Sequence, residues 1–174
     1  MASPASTEQP ISVLMVCLGN ICRSPMAEAV FKDTVHKHPS EQVRKAFGQI
    51  DSAGTGAYHA GDDADPRTQA ELRSHGIRST CRARKVTQAD FRNFDWIFGM
   101  DTSNVRSLRA SAPRNSRARV EIFGVFDDSR PIADPYYGGD DGFKECYLQC
   151  VRYSNAFLKH LGFPLAAEDP NSAL

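Results

Sequence analysis

The chain has 174 residues, enough for one well-buried core and too few for two ordinary domains. Twenty-one basic and 21 acidic residues cancel to a formal charge of zero, which removes the global basicity that marks a nucleic-acid binder. No apolar run is long enough to cross a bilayer, and five cysteines without a secretory leader fit a reduced, cytoplasmic protein better than a disulfide framework.

Residues 1–10 are small and polar and read as a disordered tail. Ile11 to Val16 is a continuous apolar run, as expected for a strand buried on both faces of a parallel sheet. After a short loop the period turns helical, with Met26, Val30, Phe31 and Val35 apolar. Ser24 is the expected N-cap, and Pro25 is expected at the first helical position. Phe47 to Ser52 is a second strand, closed by Gly54-Thr55-Gly56. Asp65-Pro66-Arg67 opens a second helix that runs to about His75 and stops at Gly76.

Thr87 to Phe94 reads as a short capped helix, Asp95 to Gly99 as a third strand, and Asp101 as the cap of a helix through Leu108. Val120 to Phe123 is a fourth strand. A polar loop from Asp127 to Asp141 leads into a last amphipathic helix from about Phe143 to Leu161. Strands that alternate with helices predict an α/β domain over residues 11–163, a parallel sheet covered on both faces, with a second tail at 164–174.

The chemistry concentrates in Cys17-Leu18-Gly19-Asn20-Ile21-Cys22-Arg23-Ser24. Cysteine with arginine six residues later is a weak signal alone. This pair, however, follows the first buried strand, at the carboxyl end where α/β sheets place their ligands. Gly19 and Asn20 are expected to supply a left-handed backbone that turns successive N–H groups onto one anion, and the helix N-terminus adds to them. Such donors favour a thiolate at Cys17. Arg23 can hold two phosphate oxygens as a fork, and the Ser24 hydroxyl can steady the sulfur as a leaving group. Phosphoryl transfer through sulfur also needs a proton donor, and Asp134 in Asp134-Pro135-Tyr136-Tyr137-Gly138 is the candidate.

The two motifs together resemble those of the low molecular weight protein tyrosine phosphatases, over nearly the whole length from Ile11 to Leu161. The resemblance implies a four-stranded parallel sheet with helices on both sides and a phosphate loop after the first strand. It implies Cys17 as nucleophile, Arg23 as the phosphate-binding arginine and Asp134 as acid and then base, with no metal and no cofactor. Tyr58, Tyr136 and Tyr137 would wall a cleft deep enough for phosphotyrosine or small aryl phosphates, open to inhibition by phosphate-like oxyanions. Nucleic acid and membranes are not implied as partners, and the protein would be a monomer or weakly self-associating.

Asn20 and Ser52 match a hydrogen-bond network that supports the loop in that family, and Cys81 stands where many members have a histidine. Cys22 matches a cysteine able to form a reversible disulfide with the nucleophile under peroxide. His75, Cys146 and Cys150 read as structural. Two rivals remain. An arsenate reductase of the same fold would need two further relay cysteines, where only Cys81 is present. A non-catalytic phosphate-binding module would have no use for nucleophile, arginine, serine and acid together.

Overall fold

A computed structural model describes residues 9–139 and 141–165. The outer parts of both expected tails, residues 1–8 and 166–174, and Asp140 of the polar loop lie outside the described residues. Four strands, β1 (Ile11–Cys17), β2 (Phe47–Gly54), β3 (Trp96–Gly99) and β4 (Arg119–Ile122), form one parallel sheet in the order β2-β1-β3-β4. The apolar run of β1 splits by parity. Val13 and Met15 enter one core with Met26, Phe31, Phe98 and Phe157, while Leu14 and Val16 enter a second with Phe91, Phe94, Ile97 and Leu108. Burial on both faces is why this strand reads as a continuous run instead of an alternation.

The first core is roofed by α1 (Arg23–His36), α3 (Pro66–Ser74) and α6 (Asp141–His160), and the second by α4 (Asp90–Asn93) and α5 (Thr102–Ser111). Asp65 caps α3 by accepting from the Arg67 N–H at 2.8 Å, and Gly76 ends it with φ of 73°. Asp101 caps α5 in a reciprocal box with Asn104. Chain order reverses across β1 and β3, so the loops after these two strands open the crevice in which ligands bind.

Several sequence expectations need correction. Ser24 does not cap α1: the helix starts at Arg23, Cys22 holds the cap position without a side-chain bond, and Pro25 is the third helical residue. The Ser24 hydroxyl is drawn to Cys17 and Asn20 instead. Residues Glu41–Ala46 form a helix, α2, that the sequence did not reveal, because six residues with one buried side chain, Val43, carry no readable period. Strand β2 runs on to Gly54, and β4 starts and ends one residue early. Phe123 rolls into a 3-10 turn, Phe123–Phe126, that buries its ring edge-on against Tyr153. Only Asp90–Asn93 of the expected 87–94 helix is helical.

Candidate active site

Strand β1 delivers Cys17 to the floor of a cleft of about 370 Å³. From there the chain turns through Leu18 to Cys22 and enters α1. Asn20 takes the left-handed backbone, with φ of 57°, but Gly19 does not. Glycine at 19 serves another purpose: a Cβ there would meet the His59 ring at 3.0 Å. Gly54 is the stricter case and is required by contact, since a Cβ would lie 2.7 Å from the backbone carbonyl of Leu18. The end of β2 packs directly under the loop.

One side chain organises the loop from inside. Asn20 is fully buried and donates from Nδ2 to Ser24 Oγ at 2.8 Å and to Ser52 Oγ at 3.0 Å. Its Oδ1 accepts the Arg84 N–H at 3.0 Å. Ser52 Oγ then gives its proton to Glu28 Oε1 at 3.0 Å, and Lys32 holds the other carboxylate oxygen at 3.3 Å. Because Asn20 already donates to Ser24, the single Ser24 proton is free for the Cys17 sulfur at 3.1 Å, a shorter contact than the 3.4 Å to the Ala53 carbonyl. The network thus points a donor at the sulfur. Cys81 stands beside it, with Sγ 3.3 Å from Ser52 Oγ and 3.8 Å from Asn20 Oδ1. Burial pushes the Cys81 thiol up to about 11, so it stays a neutral, weak donor.

Arg23 is 3% exposed, and its guanidinium faces the same cleft. Nη1 is clamped by Asp101 Oδ2 at 2.6 Å and by the Ile132 carbonyl at 3.1 Å, while Nη2 reaches Asp134 Oδ2 at 3.5 Å across 111 residues of sequence. Burial opposes its charge, but Cys17, Asp101 and Asp134 outweigh that and drive its pKa further up. Asp134 sits at the start of a 3-10 turn, Pro135–Tyr137, and its Oδ1 accepts the Tyr136 N–H at 3.1 Å. That leaves Oδ2 towards Arg23.

Tyr58, Tyr136, Tyr137 and His59 complete the rim, with the Tyr136 and Tyr137 rings edge-on at 4.9 Å. Cys17, Leu18, Gly19, Ile21, Cys22 and Arg23 line the floor and walls. Ser24 and Ser52 lie behind them, and Asn20 is sealed beneath. Among the described residues, no group of three or more His, Cys, Asp or Glu is placed to hold a metal.

The family model described as low molecular weight phosphotyrosine protein phosphatase matches residues 12–164. The chain belongs to that family. A relative from Schizosaccharomyces pombe bearing the family's name is 51% identical over 154 residues, covering 87% of this chain and 97% of that protein. Among solved structures, the protein tyrosine phosphatase from Entamoeba histolytica with Hepes in the active site is 34% identical. Its TM-score is 0.79, and the match covers 87% of this chain and 97% of that one. DARP, a Drosophila arginine phosphatase, is also 34% identical, with a TM-score of 0.78 over 87% of this chain and 98% of that one.

Within this phosphatase fold, sequence reasoning missed four side chains at the site. Asp101 was legible only as a helix cap, yet its second oxygen holds Arg23. Glu28 is 3% exposed, and its signal was a lone carboxylate inside the apolar run Met26–Phe31. Arg67 was legible only as part of the helix opening Asp65-Pro66-Arg67, and His59 had no sequence signal. Cys146 and Cys150 are buried in the first core, far from any role at the cleft, and His75 stacks flat on Tyr147 at 3.6 Å.

Proposed function

We propose that this protein hydrolyses phosphotyrosine and small aryl phosphates through a phosphocysteine. The observation that carries the reading is the convergence of Cys17, Arg23 and Asp134 on one cleft walled by tyrosines. In the first step the Cys17 sulfur attacks phosphorus, the bond to the phenolic oxygen breaks, and Asp134 gives that oxygen its proton. Arg23 and the loop N–H groups take the charge of the transferring group, which keeps its negative oxygens throughout. In the second step the Asp134 carboxylate removes a proton from water as the water oxygen attacks phosphorus. The sulfur leaves as a thiolate, steadied by the Ser24 hydroxyl, and inorganic phosphate is released. The aromatic rim favours a flat ring whose phosphate reaches the floor, and the same donors would accept competing oxyanions.

The test is hydrolysis of phosphotyrosine and phosphoarginine peptides by the wild type, Cys17→Ser and Asp134→Ala. Cys17→Ser should lose at least about 10⁴-fold in kcat. Asp134→Ala should lose about 10² to 10³-fold in kcat on the tyrosine ester while still forming trapped phosphocysteine. Wild-type turnover by Cys17→Ser would sink the mechanism. Preferred turnover of phosphoarginine would move the substrate class.

We also read Cys22 as the thiol that resolves an oxidised Cys17. Peroxide converts Cys17 to a sulfenic acid with release of water, and the Cys22 thiol then displaces a second water to form the disulfide. In support, both sulfurs line the same loop, and burial pushes the Cys22 thiol up to about 12, so it does not compete as a nucleophile beforehand. An odd count of five cysteines suits a reducing, cytoplasmic setting better than a disulfide framework. After a peroxide pulse and dithiothreitol, wild type should regain activity and Cys22→Ser should not. Equal recovery of both removes Cys22 from this role.

A further inference from the structure

We propose that Arg67 is a positioning residue for proton transfer: its guanidinium sets the distance between the phosphate loop and the turn that carries Asp134. The proposal rests on Asp134 being the acid. Arg67 is the second residue of α3, and its side chain is braced from behind by Asp65. Asp65 Oδ1 accepts from Arg67 Nε at 3.1 Å, and Asp65 Oδ2 accepts from Nη2 at 3.0 Å. Asp65 is itself tied to the phosphate loop, because its N–H donates to the Ile21 carbonyl at 2.8 Å. The free end of the fork reaches the other way, with Nη1 donating to the Tyr136 carbonyl at 3.2 Å. Its plane lies over the Phe143 ring, with Cζ 4.7 Å from the centroid, and beside the Tyr136 ring at 5.4 Å.

The Tyr136 residue is therefore held at both ends. Its carbonyl accepts Arg67, and its N–H donates to Asp134 Oδ1 at 3.1 Å. A continuous path runs from Ile21 through Asp65, Arg67 and Tyr136 to the carboxylate. Apart from buried Pro135 and the Asp134 contact with Arg23, the turn is exposed, with Tyr137 89% and Tyr136 39% accessible, so little else restrains it on the α3 side. A group that must approach a departing oxygen within hydrogen-bond reach loses rate steeply when displaced by about an ångström. Lysine could reach one acceptor but not brace on Asp65 at the same time, since that needs the planar fork.

The experiment compares kcat/KM for phenyl phosphate, whose leaving group needs a proton, with a nitrophenyl phosphate, whose leaving group needs little. Arg67→Met keeps the stem and removes the fork. It should lose about tenfold on phenyl phosphate and less than about twofold on the nitrophenyl ester, with inhibition by inorganic phosphate unchanged. Arg67→Lys should fall between, and adding Arg67→Met to Asp134→Ala should cost nothing more. Equal losses on both esters, or full additivity in the double variant, overturn the proposal. A flat leaving-group dependence in Asp134→Ala would overturn the acid assignment instead. Should Arg67→Met fail to fold, Arg67→Lys carries the same comparison.

Discussion

The loop from Cys17 to Ser24 and the turn from Asp134 to Tyr137 face each other across the cleft and are held by different means. The first is largely buried and densely bonded, to itself, to the strand directly beneath and to elements on either side: Asn20 to Ser24, Ser52 and the Arg84 N–H, Ser24 to Cys17, Ile21 to Asp65, Arg23 to Asp101. The second is mostly exposed, makes only a few short-range bonds of its own, and takes its place from distant groups, through Arg23, Arg67 and buried Pro135. Rigidity at the sulfur suits a group that must aim several donors at one anion. The acid needs only to be within reach of one oxygen, first on the ester and then on water. A lighter tether suffices for that.

The sharpest way to break this contrast is Asn20→Ala. It strips three partners at once, leaves the Ser24 and Ser52 hydroxyls and the Arg84 N–H short of a bond in a buried place, and puts a Cβ-bearing residue with no polar compensation at positive φ. At about 1–3 kcal/mol for each orphaned group, less relaxation, the loss should total about 3–5 kcal/mol. That corresponds to a fall of roughly 10 °C in Tm, readable by calorimetry. Activity should fall by about 100-fold on every ester alike, since the Ser24 hydroxyl loses the bond that aims its proton at the sulfur, whatever leaves. Arg67→Met, by contrast, should discriminate between esters and leave Tm nearly unchanged. If Asn20→Ala shows leaving-group discrimination with an unchanged Tm, the two loops are not held differently.

The same contrast explains what was legible before the fold was known. The phosphate loop lies in one contiguous stretch, so residue types at fixed offsets, a buried strand before it and a helix after it were enough to place it. The sheet was readable because β1 and β3 are buried on both faces and stand out as apolar runs. What escaped was either too short or too distant. Helix α2 has a single buried side chain, and the clamp of Arg23 by Asp101 spans 78 residues. Ser24 misled for a physical reason. Serine before a helix is ordinarily a cap, but here Asn20 and Cys17 compete for its hydroxyl and win. Gly19 misled similarly, since its freedom was read as backbone conformation and turned out to be room for the His59 ring.

The smallest expected effect sharpens the question of how far the rigid side extends. Glu28 lies four hydrogen bonds from the sulfur, through Ser52, Asn20 and Ser24, and fixes the direction of that chain by accepting the Ser52 proton. Burial pushes its carboxyl above the usual range, with Lys32 and the Ser52 bond pulling back and Asp51 adding to the rise. The sign of the pH effect follows. A carboxyl that holds its proton more tightly folded than unfolded contributes most below the unfolded value of about 4.3, and that contribution fades as pH rises through the folded value. Glutamine has no such dependence. The Tm of the wild type should therefore decline relative to Glu28→Gln as the buffer moves from acid to neutral, in paired melts across that window. Activity should drop by only about two- to tenfold, the worth of one net hydrogen bond, because glutamine can accept the Ser52 proton through its carbonyl or reverse it through its amide. A Tm difference that stays constant with pH would mean that Glu28 is not the titrating end of the chain. A loss as large as that of Asn20→Ala would mean that the rigid side of the cleft reaches down to α1 and Lys32.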